Sequence, residues 1–446
     1  MEARLSLILF LLSILSLISL SFAHDLQIVN SERRIDLTSH IVKVFLTFKV
    51  ENTGTSPASE FLLAFPPAQA DHLALVKAAV AVGKKKKKIY IPLDVSPTEL
   101  PDAPNRAKFT SISLKNPLNA VEISQSESQL VYYHDSAIIL SPYFIKQQTT
   151  FIKTPNTRVE SFSRVDPTSR AGTELKYGPY VDRAPYSFSP ITIHFENNNP
   201  LAVVEELVRE VEVSHWGSLQ ITDHYKLAHA GARHKGVFSR VEYQSRPTIS
   251  GISSFKHLLA LLPPRSELEI EPRYPLFGGW KATFVIGYSL PLQDFLFEAP
   301  DGRPYLNFSL GCPLLETVVD KLTIKVVLPE GSQDPSAKVP FPVKQHLETS
   351  YSYLDIVGRT VVVLEKTNVV PEHNSPFEVN FQPVVMVYYT FKPFFMLAEP
   401  LMLASVFFLF FVACVAYLHV DFSISKSYNG HGFEQVGLNR QHVPLY

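Results

Sequence analysis

The chain has 446 residues, 46% of them apolar and 19% charged, with 41 Lys plus Arg against 42 Asp plus Glu. That balance excludes a disordered polyelectrolyte and supplies no basic field for gripping nucleic acid. With only two cysteines, Cys312 and Cys414, a disulfide framework is excluded, so stability has to come from buried apolar surface.

At the N-terminus Arg4 precedes an apolar run, Leu5 to Leu20, that closes on Ser21-Phe22-Ala23. A positive start, a short apolar core and small residues at the cleavage positions describe a signal peptide over residues 1–23, with the mature chain beginning near His24. In Ile41 to Val50, alternation puts Val42, Val44, Leu46, Phe48 and Val50 on one side and Lys43, Thr47 and Lys49 on the other, so a strand is expected, with Phe45 as the exception. Five lysines, Lys84 to Lys88, follow Gly83 and precede the strand-like Ile89-Tyr90-Ile91. A self-repelling hairpin loop accounts for them, and a dock for anionic headgroups or a diphosphate is the alternative.

Around Leu201 to Val211 a helix is expected. Pro200 suits its start, and Val204, Leu207 and Val211 recur at spacings of three and four. Asn307-Phe308-Ser309 is an Asn-x-Ser sequon, so Asn307 is a candidate for N-glycosylation, although Leu306, Phe308 and Leu310 alternate like a buried strand. Leu322 to Leu328, closed by Pro329-Glu330-Gly331, and Thr360 to Leu364 are further strands. Leu401 to Val420 carries no formal charge, and about 20 residues of helix reach about 30 Å, the thickness of a bilayer's hydrocarbon core. One membrane span over 401–420 is expected, with residues 24 to about 400 outside the cytosol. Residues 421–446 form a short cytosolic tail, whose Lys426 and Arg440 agree with positive-inside. Cys414 is then in the membrane and Cys312 outside the cytosol, so the two cannot pair.

The stretch between signal and span is too long for one core. Two β-rich domains are expected, 24–201 and 202–395, and the halves carry signs of a repeat. Val29, Ile35, Leu37 and Thr38 have the chemistry and spacing of Val213, Leu219, Ile221 and Thr222, and Ser189 to Phe195 has that of Ser375 to Phe381. Pro142, Phe144, Thr150 and Phe151 resemble Pro275, Phe277, Thr283 and Phe284, but at a shorter offset. The fold class is therefore mainly β: two tandem, duplicated, sandwich-like lumenal domains followed by a single transmembrane helix.

Signatures of catalysis are missing. No His-Glu-x-x-His, Gly-x-Ser-x-Gly or Walker loop occurs, so nothing supplies two imidazoles on one helix face, a strained nucleophile elbow or a phosphate cradle. Glu205-Glu206 and Glu269/Glu271 are acidic pairs, which a glycosidase would need to flank one bond; solvated strand-face charges are the reading taken for them. No catalytic, cofactor or metal residues are assigned. Large rings beside glycines, in His215-Trp216-Gly217 and Phe277-Gly278-Gly279-Trp280, make His215, Trp216, Phe277, Gly278, Gly279 and Trp280 candidate structural or interface residues.

Four segments resemble ribophorin I, the type I membrane subunit of the oligosaccharyltransferase complex. They are His194 to Asn198 with Glu210 to Gly217; Lys235 to Arg240; Pro272 to Lys281; and Asp421 to Lys426. One departure from the family accompanies them: Leu261-Leu262-Pro263-Pro264-Arg265 runs almost directly into Ser266 to Ile270, where the family has a further segment with a Tyr-Tyr pair. The resemblance implies an accessory subunit of the complex that moves an oligosaccharide from dolichyl diphosphate to asparagine of nascent chains. It implies residence in the endoplasmic reticulum membrane, and partners that include a catalytic polytopic subunit, the other subunits, the translocon and nascent polypeptides. The transferase signature implied for the catalytic subunit contains adjacent tryptophans, whereas Trp216 and Trp280 are the only two here. A surface adhesion or receptor protein, and a hydrolase with an unrecognised site, are the alternatives.

Overall fold

The computed structural model describes residues 26–39, 41–54, 57–58, 60–82, 89–96, 122–214, 217–246, 253–263, 266–352, 355, 357–374, 384–390 and 394–419. The expected signal peptide, Lys84 to Lys88, His215, Trp216 and the cytosolic tail lie outside them.

The first half consists of β1 (Leu26–Asp36), β2 (Lys43–Asn52), β3 (Ala78–Val82), β4 (Ile89–Leu93), β5 (Leu130–Ser136), β6 (Phe144–Lys153), β7 (Val159–Phe162), β8 (Thr168–Ala171), β9 (Glu174–Arg183) and β10 (Pro190–Glu196). In the described residues one sheet has the order β2-β1-β6-β9-β8 and a second the order β5-β10-β7. Ile35, Ile152, Leu175 and Tyr177 from the first sheet meet Val131, Tyr133, Ile191, Ile193 and Phe195 from the second in one core. The hairpin β3–β4 stands outside both sheets.

The second half consists of β11 (Ala202–Val213), β12 (Ser218–His229), α1 (Arg240–Ser245), β13 (Leu258–Leu262), β14 (Ser266–Ile270), β15 (Lys281–Pro291), β16 (Leu296–Glu298), β17 (Pro304–Ser309), β18 (Val318–Val327), β19 (Gln333–Lys338), β20 (Lys344–Ser350), β21 (Arg359–Val369) and β22 (Val384–Thr390). Its sheets have the orders β15-β12-β11-β18-β21-β20 and β16-β17-β22-β19. Removing β15 and β16 leaves the topology of the first half, strand for strand and in the same chain order. In both halves the first strand pairs antiparallel with the second and parallel with the strand that follows the crossover, β6 or β18. The duplication is therefore one of a whole sandwich.

The residue matches behind that expectation need correction. Val29 and Ile35 lie on β1, whereas Val213 ends β11 and Leu219 is on β12. The strand equivalent to β1 is β11: each has a bulge, after Ile28 and after Val204, and each then buries alternate residues, Ser31, Arg33 and Ile35 against Leu207, Arg209 and Val211. Thr150 and Phe151 are on β6, while Thr283 and Phe284 are on β15, which has no counterpart. Ser375 to Phe381 lie outside the described residues.

The helix expected at Leu201 to Val211 is strand β11. An extra residue at the bulge shifts the side-chain alternation by one. Val204 and Leu207 thus face the core three positions apart, and Leu207 and Val211 four apart with buried Arg209 between them. A bulged strand has imitated helical spacing. The other expected strands are β2, β18 and β21, with β2 at a sheet edge, so that Leu46 and Phe48 are half-buried while Val44 and Val50 stay exposed.

The halves form one compact unit. Lys43 on β2 pairs with Glu372 at 2.8 Å, Asn368 donates to the Asp71 carbonyl at 2.8 Å, and the Ala232 amide donates to the Gln129 side chain at 2.9 Å. A second unit contains helix α2 (Phe394–His419). Within it Pro400–His419 is a 20-residue stretch of mean hydropathy 2.6, long and apolar enough to cross a membrane. Ser405 hides its hydroxyl by donating to the Met402 carbonyl at 2.7 Å.

Candidate functional site

The aromatic–glycine word Phe277 to Trp280 sits where the chain returns to enter β15. Phe277 is buried and Trp280 half-buried, with ring centroids 5.4 Å apart and nearly perpendicular planes. His234 packs 4.7 Å from Phe277 and edge-on to Trp280 at 5.8 Å; Phe238 lies 5.6 and 5.8 Å from the same two rings, and Tyr274 5.9 Å from Trp280. Tyr243, on α1, extends the group from Phe238 at 5.9 Å. Offset and edge-on rings at these distances attract through their quadrupoles beyond simple burial.

The glycines make this possible. A Cβ on Gly278 would stand 1.7 Å from the Ala232 carbonyl oxygen, so the backbones of the 231–233 and 277–279 segments touch only because no side chain intervenes. The His234 amide donates to the Gly278 carbonyl at 3.0 Å, and Gly279, at φ +81°, turns the chain so that its amide reaches the His229 carbonyl at 2.8 Å. Burial lowers the pKa of His234, which favours the neutral ring in this apolar setting.

Each half also holds a charged cluster in its core. Arg33 donates to Asp135 at 2.6 Å and to the Ser136 carbonyl at 2.9 Å, while Tyr133 donates to the same carboxylate at 2.6 Å. Arg209 grips Asp223 with two bonds, 2.7 and 3.1 Å, reaches the Ser309 and Gly311 carbonyls at 3.3 and 3.0 Å, and Tyr225 donates to Asp223 at 3.1 Å. Burial works against the Arg209 charge, but Asp223 beside it outweighs that and its pKa rises. Burial, with Asp135 next, keeps the Tyr133 hydroxyl protonated, and burial, with Cys312 and Asp223, does the same for Tyr225. These clusters are fully partnered and inward-facing. They brace the sandwich and have no access for a substrate.

The other singled-out residues do not converge. Glu205, the extra residue of the β11 bulge, and Glu206 after it pair with Lys281 and Lys226, each at 2.5 Å, and Glu269 pairs with His257 at 3.0 Å. Asn307 lies inside β17, between β16 and β22, half-buried, with its side-chain oxygen buried and without a partner. Burial pushes the Cys312 thiol up to about 11, which keeps it protonated and unreactive. Among the described residues no group of three or more His, Cys, Asp or Glu could hold a metal ion.

Only the tertiary structure brought His234, Phe238 and Tyr274 to Trp280, and Tyr243 to Phe238. Arg33 and Arg209 were legible in principle. Each occupies the core-facing parity of an alternating strand, where a charge signals a buried partner.

A sequence profile of the family described as Ribophorin I matches residues 26–267 and 264–418. The chain is 61% identical over 471 residues to dolichyl-diphosphooligosaccharide–protein glycosyltransferase subunit 1B of Arabidopsis thaliana, covering 96% of this chain and 100% of that protein. It is 60% identical over 448 residues to subunit 1B of Oryza sativa subsp. japonica (90% and 93%) and 32% identical over 454 residues to subunit 1 of Caenorhabditis elegans (93% and 76%). The two profile matches overlap at residues 264–267, the point where the sequence departs from the expected family pattern. In the fold that point falls between β13 and β14, a hairpin outside the eight repeated strands.

Proposed function

Because the chain belongs to the ribophorin I family, we propose that it is subunit 1 of the oligosaccharyltransferase of N-linked glycosylation and acts there without a catalytic site of its own. The observation that carries this is 61% identity along the entire length of a relative named as subunit 1B of that glycosyltransferase. On this reading residues 24–201 and 202–395 are two lumenal domains held at the endoplasmic reticulum membrane by one helix. Transfer of the oligosaccharide occurs on a polytopic partner. The ion pairs of Glu205 and Glu206 at the surface and of Asp135 and Asp223 in the cores are consistent with an accessory part.

An accessory subunit raises glycosylation by stabilising the complex and by prolonging the stay of a nascent chain near the transferase. A poor acceptor then reacts more often through effective concentration, with the chemical step unchanged. The experiment is co-purification of the full-length chain from detergent-solubilised membranes. Stoichiometric recovery with a polytopic transferase subunit is expected, and recovery without one would overturn the assignment. Depletion should lower occupancy at selected sequons of membrane proteins and slow folders while sparing short free peptides; equal loss on both would leave only the stabilising role.

A further inference from the structure

From the cluster built on Trp280 and the charges around it, we infer that this end of the second half is a docking surface for an acidic, apolar-anchored segment of a neighbouring subunit. The inference rests on the subunit reading above. Three side chains at the cluster's rim project apolar surface into solvent: Val237 is 95% exposed, Val241 78% and Tyr274 51%. Tyr274 packs on Trp280 at 5.9 Å, while Val237 precedes Phe238 in the chain and Val241 shares helix α1 with Tyr243, so the exposed groups border the aromatic base.

Around this patch are Arg233, Lys235, Arg240, Arg246 and Arg273, all exposed, and none of them makes an ion pair among the described residues. Elsewhere on the same half Lys338, Lys344 and Lys366 also make no ion pair among the described residues, but most of the remaining cations do. Lys226, Lys281, Lys321, Lys325, Arg303 and Arg359 each have a carboxylate partner within 4 Å. The carboxylates of the patch itself are Glu242, on α1, and Glu271, with Glu127 across from Lys235. These five exposed cations, with Lys256 over the Tyr243 ring at 5.8 Å as a sixth, therefore face three acids, and the five make no close ion pair among the described residues.

Aromatic rings and arginines surrounding exposed aliphatic groups are the composition of an interface centre. The charge excess selects an acidic partner, because arginine forks pair with carboxylates through two parallel bonds. A phosphate ion would engage the arginines and leave Val237, Val241 and Tyr274 in water. A protein segment with an apolar side chain between acidic ones satisfies both parts of the surface.

The test uses the full chain assembled in its membrane complex. Arg240→Glu with Arg246→Glu, and separately Val237→Asp, should each lower recovery of a neighbouring subunit about tenfold, the effect of losing one well-packed anchor. Thermal melting of the purified chain should stay unchanged, since none of these side chains is buried. A photo-crosslinker at position 237 should capture an acidic segment of that subunit, and the capture should weaken as salt is raised. Unchanged subunit recovery in both variants, or crosslinks to lipid alone, would overturn the inference. Failure of the unmodified chain to co-purify with a transferase subunit would instead overturn the functional reading.

Discussion

Arg33 and Arg209 occupy the same position in two successive copies of one sandwich. Each follows the bulge of its half's first strand by the same interval, and each is buried. Each donates across the core to the carbonyl of the last residue in a strand of the opposite sheet, Ser136 at 2.9 Å and Ser309 at 3.3 Å. The carboxylate partner differs. Asp135 comes from that opposite strand, whereas Asp223 comes from β12, next to β11 in the same sheet. The arginine's place and its carbonyl contact are common to both copies, and its counter-ion has been supplied twice by different routes.

Removing one partner of the second cluster should be costly. Asp223→Ala leaves the Arg209 charge buried and uncompensated, for a loss of about 3 to 5 kcal/mol. The double replacement Arg209→Met with Asp223→Leu should cost clearly less than the sum of the single losses. Denaturant unfolding of the four proteins measures the coupling, and additive losses would show that the pair is not energetically linked.

The glycine–aromatic word separates two effects. Gly278→Ala forces a Cβ against the Ala232 carbonyl and should destabilise the second half more than Trp280→Ala, which removes a half-buried ring and should cost about 2 to 4 kcal/mol. Thermal melting compares them. Trp280→Ala with unaltered melting but lost assembly would assign that ring wholly to the interface.

His373 should give the protein a pH dependence whose sign follows from its burial. Its ring is buried against Phe341 with Nε2 unpartnered, and burial, then the Lys366 charge, lower its pKa from 6.5 to about 4. The unfolded chain therefore takes up a proton between those values while the folded one does not. Stability from this group is complete above about pH 6.5 and falls by up to about 3 kcal/mol as pH drops to 4. His373→Leu should flatten that part of the stability profile, and an unchanged slope would place the acid sensitivity elsewhere.

Asn307 should remain unmodified in the assembled protein, because β17 is paired on both edges and its side chain is half-buried. Endoglycosidase treatment should leave electrophoretic mobility unchanged. A shift abolished by Asn307→Gln would mean that the sequon is used before β17 joins its sheet.

The sequence by itself determined the mainly β composition, the C-terminal span and the family. Period-two alternation, an uncharged apolar run and long word matches are local properties of the chain. It also carried the repeat, but in the wrong register, because residue chemistry drifts between copies while strand pairing does not. The bulge in β11 was illegible for the same reason. One extra residue changes which side chains face the core, and only the partner strand reveals that it has been inserted. The ring cluster at Trp280 and the different counter-ions of the two buried arginines were decided by tertiary structure alone. Each depends on residues far apart in the chain, and the sheet order that brings them together is fixed by the packing of one whole face on another.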